Sequence, residues 1–335
     1  MAVYVGNRSA PRAVWLVRLA FGLLLLWGSE VLLWTNPPGR ALLEWPLLAA
    51  GYVLLAALLL DLAARYRVGD LFGALLLGGV YSLGASLAVN PASMYSDLPL
   101  TLLTRVLGAH ALMGVEMFGL LLALTGGGQG GRWLLIGAAI IGVSWGVWAR
   151  WFPVLNEPGY GAVELPAAVA WAAAGLAAAL AALWAVGRRG TALAVDDLRL
   201  SRSGWGAALL GLLALAAVRL LRGETPPAAL LPALPLLALV GVILWFRGRR
   251  AGRALLDARI PPRLPPVLTL AAALALFFAL AAAGYHLPLL EIGPFNLLTL
   301  IGVAFTAYGV TWLPTVSLVL GVRAYLRQAQ RAREV

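Results

Sequence analysis

Ten runs of about 20 mostly apolar residues, separated by short connections, dominate this chain and leave it little choice of fold. They lie at Val14–Trp34, Ala41–Ala64, Val68–Asn90, Leu100–Thr125, Arg132–Phe152, Ala162–Val186, Trp205–Leu221, Pro226–Phe246, Val267–His286 and Phe295–Leu320. Within a bilayer each run has to satisfy its backbone hydrogen bonds internally, so each is expected as a helix. The alternating pattern of a transmembrane barrel is absent. The expected fold is an all-α integral membrane protein of about ten transmembrane helices, one polytopic membrane domain over 1–335 with no soluble domain. The seventh run, the shortest and with Arg219 near its end, is the weakest of the ten.

Charge supports this reading. Charged residues make up 12% of the chain, against about 25% in an ordinary soluble domain. The net charge of +11 rests on arginine alone, since lysine is absent. If ten spans alternate from a cytoplasmic N-terminus, 20 of the 25 arginines fall on the cytoplasmic side. The positive-inside rule predicts that bias, and the arginines therefore read as membrane topology, not nucleic-acid binding. The expectation is a multi-pass protein of the cell (cytoplasmic or inner) membrane with both termini in the cytoplasm. Tryptophans near the proposed span ends, among them Trp15, Trp34, Trp133 and Trp245, fit the interfacial aromatic belt.

Ten spans divide into halves 1–152 and 162–335 at the loop 153–161. Five spans per half would make an internal repeat inverted, a recurrent plan in transporters. Trp27-Gly28-Ser29 followed by Pro37-Pro38 resembles the start of drug/metabolite-transporter proteins over about a dozen residues, too few to assign the chain to that family.

Several chemistries are excluded. Without lysine there is no Schiff base, and without cysteine no disulfide, thiol nucleophile or cysteine-ligated cluster. No HExxH, GxSxG or SxxK sequence is present, so no catalytic residues are assigned. Gly126-Gly127-Gly128-Gln129-Gly130-Gly131 has the GxGxxG spacing but joins two apolar runs, and reads as a flexible turn. His110, Met113 and Met117 form a stripe at helical spacing that reads as packing, so no metal and no cofactor is expected.

The candidate residues are polar groups inside apolar runs, where ionisable side chains are functional candidates by default. Glu30, Tyr81, Arg105, His110, Glu116 and Thr311 are taken as an intramembrane polar path. By α-helical count Arg105 and Glu116 share a face, with an offset of about 20° and roughly 16 Å between them along the axis. Arg150, Tyr285, His286, Glu291 and Asn296 are taken as an outer vestibule. The last run is broken by Pro314 and rich in threonine, as binding-site helices of transporters often are.

These features lead to a first expectation of a small-molecule or ion permease. The second is a non-catalytic or quinone-contacting membrane subunit of a larger complex. The third is a membrane enzyme acting on a lipid-linked substrate, with Arg105 and Arg150 as phosphate contacts. The expected partners are the lipid bilayer and either other membrane subunits or further copies of the chain.

Overall fold

Each apolar run folds as a helix among the described residues. The computed structural model describes residues 10–33, 39–91, 97–156, 162–188, 193–225, 227–247, 254–257, 259–260, 262–289, 291–292 and 295–333. Helix α1 covers Ala10–Leu26 and continues as a π-helical segment, Trp27–Leu33. Helix α2 is Glu44–Arg65, and α3 is Leu71–Gly84 followed by π-helical Ala85–Val89. Helix α4 starts with a π-helical segment, Leu102–His110, and continues over Ala111–Leu124. Then come α5 (Gly131–Asn156), α6 (Leu165–Arg188), α7 (Arg202–Leu221), α8 (Leu230–Arg247), α9 (Val267–His286) and α10 (Leu297–Arg333). A two-residue antiparallel hairpin, β1 (Glu291–Ile292) with β2 (Phe295–Asn296), precedes α10. Helix α10 outlasts its apolar run because little after Gly321 breaks a helix.

Eight of these helices are long and apolar enough to cross a bilayer, which makes the protein polytopic and membrane-embedded. The apolar parts of α8 (Leu230–Trp245) and α10 (Leu297–Trp312) are shorter. Burial separates an inner group from an outer one. The apolar windows of α1 to α4 are 72, 67, 78 and 56% buried, against 33, 28, 11 and 17% for α5, α6, α7 and α9. Helices α1 to α4 are thus the protein's interior, and the outer ones turn mostly apolar surface toward lipid.

Apolar contact gains little inside a membrane, so close backbone approach and polar bonds have to join the helices. Helices α5 and α9 meet through Gly142 and Gly146 on one side and Gly284 on the other. A Cβ on Gly146 would stand 2.1 Å from the Ala281 carbonyl oxygen, so only glycine fits there. Gly108 of α4 and Gly309 of α10 make the same kind of contact. Indole N–H groups add bonds to main-chain carbonyls across helices: Trp27 to Ala172 (2.9 Å), Trp148 to Leu33 (3.0 Å) and Trp312 to Leu75 (2.9 Å).

One end of the bundle is held by Asp61, which is fully buried near the C-terminus of α2. Its carboxylate accepts two bonds from Arg65 (2.9 and 2.8 Å), one from the Leu200 backbone N–H (2.6 Å) and one from the Trp205 indole (2.9 Å). Arg18 of α1 donates to the Leu198 carbonyl at 3.1 Å, from the same side. The α6–α7 connection is thereby stitched to α1 and α2. Arg67, in the left-handed region at φ 46°, ends α2 and pairs with Asp257 (3.1 Å) and Asp196 (3.3 Å).

Asp61→Ala would strand the Leu200 N–H and the Trp205 indole in a dry site, while the partly exposed Arg65 can turn to water. The expected loss is about 2–4 kcal/mol of stability, read from SDS-induced unfolding of the purified protein followed by circular dichroism.

Candidate functional site

Three π-helical segments occur among the described residues, and residues of two of them meet each other and Asn90, which follows the third. A π-turn closes i→i+5 hydrogen bonds, widens the helix and is frequent at functional sites. Here they bring together Ser29 and Glu30 from α1, Asn90 at the end of α3, and Arg105 and His110 from the first part of α4.

Glu30 has no exposed surface, and its two oxygens are saturated. Tyr52 donates to Oε1 at 2.6 Å, Asn90 Nδ2 lies 3.0 and 3.1 Å from the two oxygens, and Arg40 forms an ion pair with Oε2. Next to it, Ser29 is hydrogen-bonded to the buried hydroxyl of Tyr81 and lies 3.4 Å from Nδ1 of His110. Two consecutive residues of α1 thus bond to α2, α3 and α4. Gly28 lets the chain come this close: a Cβ there would meet Met113 Sδ and Met117 Cγ, each at 2.8 Å. The two methionines of the His110 stripe are therefore packing for α1.

A cavity of about 630 Å³ opens beside this cluster. Its polar lining comes from Ser29, Asn90, Thr104, Arg105, His110, Asn296, Thr299 and Thr306, its aromatic lining from Trp148, Phe152 and Phe305. The ends of α1, α3 and α5 and the starts of α4 and α10 form its walls, so both halves of the chain contribute. Among the described residues, Arg105 is the one formally charged side chain in its lining. Asn296 caps α10 by accepting from the Thr299 N–H at 2.7 Å and its hydroxyl at 2.9 Å.

Glu116 lies elsewhere. It borders two further cavities, one of about 150 Å³ with Ser144 and Trp145, and one of about 320 Å³ with Trp27, Trp133 and Phe277. The shared face expected for Arg105 and Glu116 assumed 100° per residue throughout. The π-helical turns before Ala111 advance less per residue, and Arg105 lines the polar cavity while Glu116 does not. The smaller cavity shares Leu33, Ala109, Trp148 and Phe305 with the polar one, so the three lie in series.

Of the other candidates, Thr311 is exposed and bonds the Ala307 carbonyl of its own helix at 2.6 Å. Arg150 lies 5.5 Å from the ring centres of Tyr285 and Trp151, and the Tyr285 hydroxyl donates to Val163 O at 2.8 Å. The exposed His286 packs edge-on against Tyr285. These three form a separate group at the α5–α9 end, outside the cavity lining. The side chain of Glu291 lies outside the described residues, although its backbone pairs with Asn296. Arg40, Tyr52 and Asn90 are site residues that the sequence reading missed. Asn90 ends an apolar run and Tyr52 lies inside one, so neither stands out by charge.

Fold and site define a polytopic α-helical membrane protein built round a buried, multiply hydrogen-bonded carboxylate and an adjoining polar cavity. Comparison with protein-family models, with curated proteins and with solved structures finds no match to this chain.

Glu30→Gln would leave the slightly exposed Arg40 charge with only the more exposed Glu44, 3.5 Å away, as counter-ion, and is expected to cost about 2–4 kcal/mol. Adding Arg40→Gln removes the stranded charge and should recover part of that loss. A double-mutant cycle on unfolding measures the recovery, and additive losses would show that the two side chains are uncoupled.

Proposed function

We propose that the protein is a small-molecule permease whose substrate site is the polar cavity lined by Ser29, Asn90, Arg105 and His110. The observation that carries this is that two π-helical segments, together with Asn90 at the end of the third, line one polar cavity within membrane-crossing helices. A structural subunit needs no such cavity, and burying polar walls without a ligand is costly in hydrocarbon. At about 630 Å³ the cavity falls within the range of small-molecule sites, and its aromatic walls suit a ligand with both polar and apolar parts.

The order of helix packing supports a transporter plan. Helix α1 packs on α6, α2 on α7 and α3 on α8, while α5 packs on α9 and α10 on α4. Exchanging two five-helix halves leaves the first three pairs unchanged and swaps the last two. Both swapped pairs are also the ones joined through glycine backbones. An inverted five-plus-five repeat with ten spans accounts for this pattern.

Transport is tested by filling the cavity. Gly302 lines it, and a Cβ there would meet nothing within 4 Å, so Gly302→Leu blocks the space without moving backbone. Proteoliposomes holding the protein are exposed to a mixture of small metabolites, and the trapped contents are identified by mass spectrometry. The expected outcome is one or more compounds accumulated by the native protein and lost with Gly302→Leu and Arg105→Ala. Accumulation equal to that of empty liposomes for every compound would sink the reading.

The orientation puts the Asp61 end, where the arginines concentrate, in the cytoplasm. The chain has no cysteine, so single cysteines report sidedness directly. Asp197→Cys should react with an impermeant maleimide only after the membrane is opened, and Asp97→Cys in intact cells. The reverse pattern would invert the topology.

A further inference from the structure

We propose that Glu116 and the apolar cavity beside it form a binding site for a lipophilic organic cation. This goes beyond the permease reading and does not rest on it, because it concerns a different cavity and a different ligand chemistry.

The carboxylates in the membrane-crossing helices differ in how far their oxygens are filled. Glu30 and Asp61 have their oxygens filled by several donors each. Glu116, in the middle of α4, makes no hydrogen bond or ion pair among the described residues. A carboxylate in such surroundings is costly unless a cation or proton joins it. Among the described residues, Glu116 is the one ionisable side chain lining the 320 Å³ cavity, whose other walls are leucines, Ile141, small residues and the rings of Trp27, Trp133 and Phe277. Trp27 and Phe277 stand at an angle, with ring centres 5.9 Å apart. Aromatic faces carry negative potential and attract cations within about 6 Å. One carboxylate and an aromatic wall are thus two independent features selecting the same charge.

The walls also select the kind of cation. Sodium or calcium needs several oxygen ligands, and this cavity offers a single carboxylate. A quaternary ammonium with an apolar body needs no hydrogen bonds, and aromatic walls are its usual recognition surface. The volume stands at the lower end of the range for small-molecule sites. Access fits too: the cavity lies among α4, α5, α6 and α9, and Trp133 on its rim is 65% exposed on the outer surface of the bundle. A lipophilic cation concentrated in the bilayer can enter there from the side. Gly119 and Gly137 keep the cavity open, each with nothing within 4 Å of where a Cβ would stand.

The test uses the purified full chain in detergent, titrated calorimetrically with benzyltrimethylammonium and with neopentylbenzene, its uncharged isostere, against protein-free micelles. The native protein should bind the cation and favour it over the isostere. Glu116→Gln, nearly the same shape, should weaken cation binding about ten- to hundredfold and leave the isostere unaffected. Gly137→Leu should abolish binding of both by filling the space. Circular dichroism establishes that each variant is folded. Three results would each overturn the proposal: no cation binding by the folded native protein, equal binding of cation and isostere, or unchanged cation binding in Glu116→Gln. The isostere comparison and Gly137→Leu decide the matter even if Glu116→Gln fails to fold.

Discussion

Polar atoms placed among membrane-crossing helices must find their partners inside the protein, and Glu30 is where this demand is heaviest. Its carboxylate is met by Arg40, by Tyr52 of α2 and by Asn90 at the end of α3. Ser29, one residue earlier, meets Tyr81 of α3 and lies near His110 of α4. The four most buried helices are therefore joined through two neighbouring side chains. Asp61 does the corresponding work at the other end, tying α2 to the α6–α7 connection. Between these two points apolar packing fills the interior but gives little preference for one helix arrangement over another, since lipid offers similar contacts. The arrangement is set by the polar bonds and by the glycines that allow backbones to touch.

The π-helical segments follow from the same demand. Consecutive side chains of an α-helix point about 100° apart, and a change of winding shifts which neighbour each one faces. A wider turn re-aims consecutive side chains at the cost of poorer backbone geometry. Trp148 helps by donating to the Leu33 carbonyl at the end of α1, a group the interrupted ladder would otherwise leave unpaired. The polar cavity lies beside two of these segments and the end of the third.

Much of the fold was legible in the sequence because the bilayer imposes a length on apolar runs. The run at Val267–His286 coincides with α9, and most others end within a few residues of their helices. Glu30, Tyr81, Arg105 and His110 were legible as polar residues in apolar surroundings. Asp61 was legible in principle and overlooked: Arg65 stands four residues on, the spacing of a helical ion pair. What was not legible was geometry. The face shared by Arg105 and Glu116 came from constant α-helical winding, and nothing in the residues between them announces a π-turn. Tyr52 and Asn90 gave no signal because their importance lies in a carboxylate on another helix. Thr311 shows the reverse: a hydroxyl in a membrane helix that is satisfied by its own backbone.

Burial is a poor guide to which acidic group does something, and saturation is a better one. Glu30 is the more buried of Glu30 and Glu116, yet it is the less available. To take a new ligand it would have to break bonds to Tyr52, Asn90 and Arg40 together, and their loss would loosen the joints among α1, α2 and α3. Such a group holds helices in place. Glu116 has no hydrogen bond or ion pair to break among the described residues, and the cavity of about 320 Å³ beside it is walled by rings and aliphatic groups. Whatever neutralises it must come from outside the protein, as a proton or as a bound cation. Among the described residues, the filled carboxylates Glu30 and Asp61 tie helices together, and Glu116 stands apart from them in having no such bonds.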